Sequence, residues 1–278
     1  MVNPRLIAKI ESEEPTLSFA VLIDADNVSA SVIEGLLAEI ATFGEATVKR
    51  IYGDFTSPTS SQWKKVLNRH TIKPVQQFAY TTGKNATDSM LIIDAMDLLY
   101  TRRFNGFCLV SSDSDFTGLA MRIREEGLTV LGFGEQKTPE AFRNACHKFI
   151  LTEVLRPVAS KDPVITAIPV SEATLAKSAV VVPNPVVPVM EQRSNKEIPR
   201  QFLLQALEKT CDENGWARLA DFGSYLTKLQ PDFEPRAFGF KKLSELIKAK
   251  PDLFELEEKP VLRSGGKALV LYVRAKKS

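Results

Sequence analysis

Residues 107–118 read FCLVSSDSDFTG: four apolar residues, two serines, then aspartates at 113 and 115 ahead of a helical pattern, FTGLAMRIREEG. A short apolar run bounded by polar residues is the pattern of a strand buried on both faces of a parallel sheet. Ligands of open α/β sheets bind outside the carboxyl ends of such strands. The stretch therefore sets Asp113 and Asp115 where this fold class does its chemistry.

The flanking sequence repeats the theme. FAVLI (19–23), ATVKRIYG (46–53), IKPVQQF (72–78) and LTVLGFG (128–134) read as further strands. Amphipathic helices are expected at 29–44, 60–70, 86–103 and 115–127, and PEAFRNACHKFI (139–150) reads as a closing helix. Strand–helix alternation implies right-handed βαβ crossovers and a parallel sheet. The expectation is an α/β, Rossmann-like sandwich over residues 1–156.

Residues 157–195 break this pattern. Pro157, Pro163, Pro169, Pro183, Pro185 and Pro188 punctuate a Val-, Ala- and Ser-rich stretch, which denies both helix and central strand. A flexible, partly extended linker is expected, with a fully extended reach on the order of 100 Å. Residues 196–278 then read as helices at 198–215, 218–230 and 237–250 and strands at 253–259 and 268–275. Three helices and a two-stranded wing make a small winged-helix (α+β) domain.

A chain of 278 residues with 44% hydrophobic and 25% charged residues is globular and long enough for two domains. The formal net charge of +2 names no partner, but its distribution does. Residues 1–156 carry 17 Lys and Arg against 19 Asp and Glu, a net of −2. Residues 196–278 carry 16 against 12, a net of +4, which makes the C-terminal part the better polyanion binder. Cys108, Cys146 and Cys211 are far apart with no CxxC spacing, which argues against a disulfide framework or a thiolate zinc site. No apolar signal core opens the chain and no run reaches membrane-spanning length, so no membrane is expected and the cytoplasm is the default location.

Acids recur at the strand ends. Asp24 ends the first strand, Asp54 follows the second, Asp88 opens a helix in GKNATDSM, and Asp113 and Asp115 follow the fourth strand. In a parallel sheet these ends converge on one edge, and converging carboxylates repel unless a cation joins them. Hard oxygen donors that keep several waters suit Mg2+ or Mn2+, and the chemistry they support is metal-assisted phosphodiester hydrolysis. Each acid also has a plainer reading: Asp88 or Asp115 as a helix cap, Asp54 as a turn acid, Asp26 pointing to solvent.

VLIDADN (21–27), GKNATDSMLIIDAMDLLY (83–100) and CLVSSDSDFTGLA (108–120), in that order, resemble the NYN domain of the limkain type, a branch of the PIN-like nucleases, over roughly residues 17–150. The resemblance implies a Rossmann-like PIN/NYN sandwich with an acidic metal pocket and endoribonuclease activity. It makes Asp24, Asp88 and Asp113 the pocket acids, with Asp115 and Asn27 supporting them and Asp54 as a further ligand. Asp94 becomes a supporting or structural acid, and Lys84, in the TTGKN loop, a phosphate contact. GWARLADFGSYLTKLQPDFEPRAFGFKKLSELIKAKPDLFEL (215–256) is similar to a LOTUS domain, also called OST-HTH, most specifically in FGFKKLSELI. That resemblance implies a module that binds RNA or a protein partner, with Arg236, Lys241, Lys242 and Lys267 facing phosphates. Phe222, Tyr225, Phe238 and Phe240 sit at helical spacing and read as core. Three readings stay open: an endoribonuclease, a nuclease acting on DNA, and an RNA-binding adaptor with a silent pocket.

Overall fold

The computed structural model describes residues 16–56, 61–78, 86–156, 199–263 and 266–276. The first domain runs β1 (Ser18–Asp24), α1 (Ile33–Ile40), β2 (Glu45–Gly53), α2 (Ser61–His70), β3 (Lys73–Gln76), α3 (Ala86–Tyr100), β4 (Gly106–Val110), α4 (Thr117–Glu125), β5 (Thr129–Gly134), α5 (Glu140–Ala145) and β6 (Lys148–Leu151). The six strands are all parallel, in the order β3-β2-β1-β4-β5-β6. The order reverses between β1 and β4, which is where doubly wound sheets open a crevice for ligands.

Both faces of the sheet's centre are covered, which is why β1, β4 and β5 read as apolar runs and not as alternation. Ala20 and Leu22 of β1 face a cluster with Leu91, Ala95, Leu98 and Leu99 of α3 and with α4 and α5. Phe19, Val21 and Ile23 face the opposite cluster, with Ile33, Leu36 and Ile40 of α1 and Trp63 and Leu67 of α2. The helical residues recur at three- and four-residue spacing, the stripe a helix needs to lie on a sheet.

The C-terminal domain consists of α6 (Arg200–Thr210), β7 (Trp216–Arg218), α7 (Leu219–Leu229), α8 (Leu243–Lys248), β8 (Phe254–Arg263) and β9 (Gly266–Ala275). Its antiparallel sheet has the order β7-β9-β8. Its core gathers Leu203, Leu207, Phe222, Leu226, Leu246, Ile247 and Val273, with Tyr225, Phe238 and Phe240 packed against it. The arrangement is winged-helix-like, and those four aromatics serve the core.

Two strands depart from the sequence expectation. The segment expected to close as one helix over 139–150 is helical only to Ala145; Cys146 is extended, and Lys148–Leu151 adds a sixth strand. The wing sheet gains a third strand, Trp216–Arg218, whose three residues pair with Tyr272–Arg274 of β9. The proposed linker and Lys84 lie outside the described residues, as does the side chain of Lys267. No described helix is long and apolar enough to cross a membrane.

Candidate acidic site

The ends of β1 and β4 build the site. Asp24, the last residue of β1, is fully buried. One of its oxygens accepts the Asp26 backbone N–H (3.0 Å); the other accepts Asn27 Nδ2 and Ser111 Oγ, each at 2.7 Å. Burial pushes the Asp24 carboxyl up from its ordinary value, opposed by these hydrogen bonds, that from Ser111 foremost.

Ser111 links the two strand ends. Its hydroxyl donates to Asp24 and accepts the Asp113 backbone N–H at 3.1 Å. Its own N–H goes to the Phe133 carbonyl at 2.9 Å. Gly134, at the end of β5, is what lets the strands close here: a Cβ on it would lie 2.5 Å from the Ser111 carbonyl oxygen. Asp113 then caps the turn of Ser114–Phe116 that leads into α4, accepting the Asp115 N–H at 3.0 Å. The cap is thus Asp113, where the sequence suggested Asp115.

Asp88 comes from the first turn of α3. One carboxylate oxygen from each of Asp88, Asp113 and Asp115 lies within 4.8 Å of the others. Partial burial, followed by the charges of Asp24, Asp113, Asp115 and Asp26, pushes the Asp88 carboxyl up to about 6. Its environment is therefore short of positive charge. All three donors are oxygens and Asp115 is exposed, a set that suits a hard cation retaining waters.

Not every expected residue joins this group. Asp24 adjoins it through its charge on Asp88, but its oxygens are held by three donors. Asn27 reaches the site only through Asp24. Asp54 stands beyond β2, on the other side of β1 from β4; its Oδ1 accepts from the Thr56 N–H and hydroxyl and from Gln76 Nε2, which hold the carboxyl below its ordinary value. Asp94 turns to β2, where Arg50 and the Tyr52 hydroxyl donate to it. Lys241 and Lys242 are exposed before α8. Arg236 is engaged by Glu39 and Glu234. Ser111 was missed by the sequence reading; its signal is the SSDSD run, in which a serine directly follows the strand.

The raised Asp88 carboxyl has a consequence for stability. Between its unfolded value, near 4, and about 6, the folded protein keeps a proton that the unfolded chain has released. This group's contribution to stability therefore falls as pH rises through that window. In metal-free protein Asp88→Asn should melt higher than the wild type, with a gap that widens from pH 5 to pH 7.5. Added Mg2+ should raise the wild-type melting temperature more than that of the variant. Thermal melts in chelator at both pH values check this; a gap that does not change with pH would mean that Asp88 is not held out of its ordinary range.

A family model for the NYN domain matches residues 18–153, and one for the OST-HTH/LOTUS domain matches residues 193–261. No curated protein matches the chain. Solved structures do. An uncharacterized protein of Nitrosomonas europaea is 46% identical over 38% of this chain and 94% of its own, with a TM-score of 0.28. A protein of unknown function from Vibrio parahaemolyticus is 18% identical over 50% of this chain and 94% of its own, with a TM-score of 0.43. A Chromobacterium violaceum protein is 29% identical over 31% of this chain and 87% of its own, with a TM-score of 0.24.

Proposed function

With residues 18–153 belonging to the NYN family and residues 193–261 to the OST-HTH/LOTUS family, we propose that this protein is a metal-dependent endoribonuclease whose C-terminal domain binds RNA. The working units are residues 1–156 for cleavage, 157–195 as linker and 196–278 for binding. The observation that carries the reading is the meeting of Asp88, Asp113 and Asp115 at the point where the strand order reverses.

These three residues fit Mg2+ or Mn2+ by donor type and mutual spacing. The bound ion would polarise the phosphodiester and make a water more acidic. The chain's own part is to hold the carboxylates in place. Asp113 is fixed by its cap on the following turn and by Ser111 beneath it. Asp24, gripped by Asn27 and Ser111, holds the ends of β1 and β4 together and adds negative charge behind Asp88. It acts as a positioning residue, and Asn27 acts through it. Lys241 and Lys242, both exposed, are the proposed phosphate contacts, together with Lys267 of the wing strand β9. Asp54 has no part in this reading.

The test is cleavage by the full-length protein of a labelled single-stranded RNA and of DNA of the same sequence, with Mg2+, Mn2+ or chelator. Internal RNA cuts that need the ion and stop with chelator are expected. Absence of cleavage with either ion would leave an RNA-binding adaptor. Faster cutting of the DNA would make the chain a DNA nuclease.

A further inference from the structure

β6 is the last strand of its sheet, so its outer edge offers unpaired backbone groups. That edge is met by a loop of the C-terminal domain. The Phe149 N–H donates to the Pro231 carbonyl at 2.9 Å. Three ion pairs flank the bond. Arg143 of α5 pairs with Asp232. Lys148 of β6 pairs with Glu234 at 3.7 Å. Arg236 reaches Glu39, at the end of α1, through both terminal nitrogens at 2.8 and 2.9 Å. Ala237 packs against the first domain's core.

The loop's charges run negative, negative, positive, and they face positive, positive, negative. The carboxylates of Asp232, Glu234 and Glu39 keep only 10%, 9% and 14% exposure, and two-nitrogen arginine–carboxylate pairs are among the stronger charge contacts. Isolated surface ion pairs contribute little. Here the two surfaces share one chain, and a tether gives an effective concentration of up to roughly millimolar, so an interface whose dissociation constant lies below that stays closed.

We propose that the loop from Pro231 to Ala237 is a docking element that seats the C-terminal domain on the β6 edge of its own NYN domain, so that the two move as one body. Arg236 is then a docking residue and not a phosphate contact. The contact is set back from the acids: Lys148 and Phe149 lie opposite Leu131 and Gly132 of β5, two strands from the switch point. Docking thus holds the RNA-binding domain at a constant distance from the pocket.

The test reads distance and not activity, so it stands apart from the nuclease reading. Spin labels at Glu125 and Asp221, both exposed, are placed by cysteine substitution in the full-length chain with Cys211→Ser. One narrow distance distribution, unchanged on dilution, is expected. Asp232→Arg should broaden it, as release of the C-terminal domain from the β6 edge requires. The exchanged pair Arg143→Asp with Asp232→Arg should narrow it again, which separates docking from misfolding. A broad distribution in the wild type, no response to Asp232→Arg, or no recovery in the exchanged pair would overturn the proposal. So would a narrow distribution that disappears on dilution, since that would place the contact between two copies.

Discussion

Asp113→Asn should lower metal-dependent RNA cleavage by roughly 10²- to 10³-fold, taking an ion's contribution to the barrier as a few kcal/mol, of which each ~1.4 is a factor of ten. The substitution isolates charge from structure. Asp113 caps the turn into α4 by accepting the Asp115 N–H, and Asn caps as well as Asp does. The fold at the end of β4 should therefore persist, while one of three negative charges is lost. Asp113→Ala would confuse the two, because losing the cap costs about 1 kcal/mol by itself. The measurement is single-turnover cleavage across a Mn2+ titration, beside a thermal melt. A rate that survives with an unchanged melting temperature would make Asp113 a structural cap and take it out of the ion site. Asp88→Asn should show a loss of the same order, together with the rise in melting temperature in chelator that follows from a carboxyl pushed up to about 6.

The sequence carried the strand ends well and the links between them poorly. β1, β4 and β5 announced themselves because they are buried on both faces, and burial on both faces forces an unbroken apolar run. Asp24 and Asp113 were legible for the same reason: an acid at the end of such a run, or two serines past it, has only the carboxyl edge of the sheet to occupy. The helix–strand boundary near residue 146 was not legible. ACHKFI fits either period over so short a window, and what makes Phe149, Ile150 and Leu151 a strand is pairing with β5, a tertiary fact. β7 was hidden likewise, since three residues carry no period and its partner lies about 55 residues on. The hydrogen bond from Ser111 to Asp24 joins residues 87 apart. No local pattern encodes it, yet it decides that Asp24 organises the site while Asp88, Asp113 and Asp115 form the open cluster. The ionic surface of the 231–237 loop was legible as charge but not as a complement to Arg143, Lys148 and Glu39.

Asp94→Ala should be the most destabilising single substitution near the site, at about 3 kcal/mol. Asp94 lies on α3, less than two turns after Asp88, and accepts hydrogen bonds from Arg50 and from the Tyr52 hydroxyl on β2. Tyr52 is fully buried, and burial together with the Asp94 charge pushes its phenol up, so that it stays a donor. Removing the carboxylate would leave a hydroxyl and a guanidinium facing apolar surroundings without their acceptor. Breaking a buried pair on one side costs roughly 3–5 kcal/mol, and the lower end applies because the Arg50 side chain keeps 24% exposure. Asp94→Asn, which retains one acceptor for the hydroxyl, should lose less. The same contact anchors α3 to β2, whose Tyr52 carbonyl accepts the Ala25 N–H directly after Asp24. Loosening it should therefore weaken cation binding as well as folding, although Asp94 is not among the three clustered acids. Urea unfolding of Asp94→Ala, of Arg50→Ala and of the double variant separates pair from packing: the double variant should lose much less than the sum of the singles. Additive losses, or a loss below about 1 kcal/mol for Asp94→Ala, the size of an ordinary surface pair, would show that α3 is held in place by its apolar face alone.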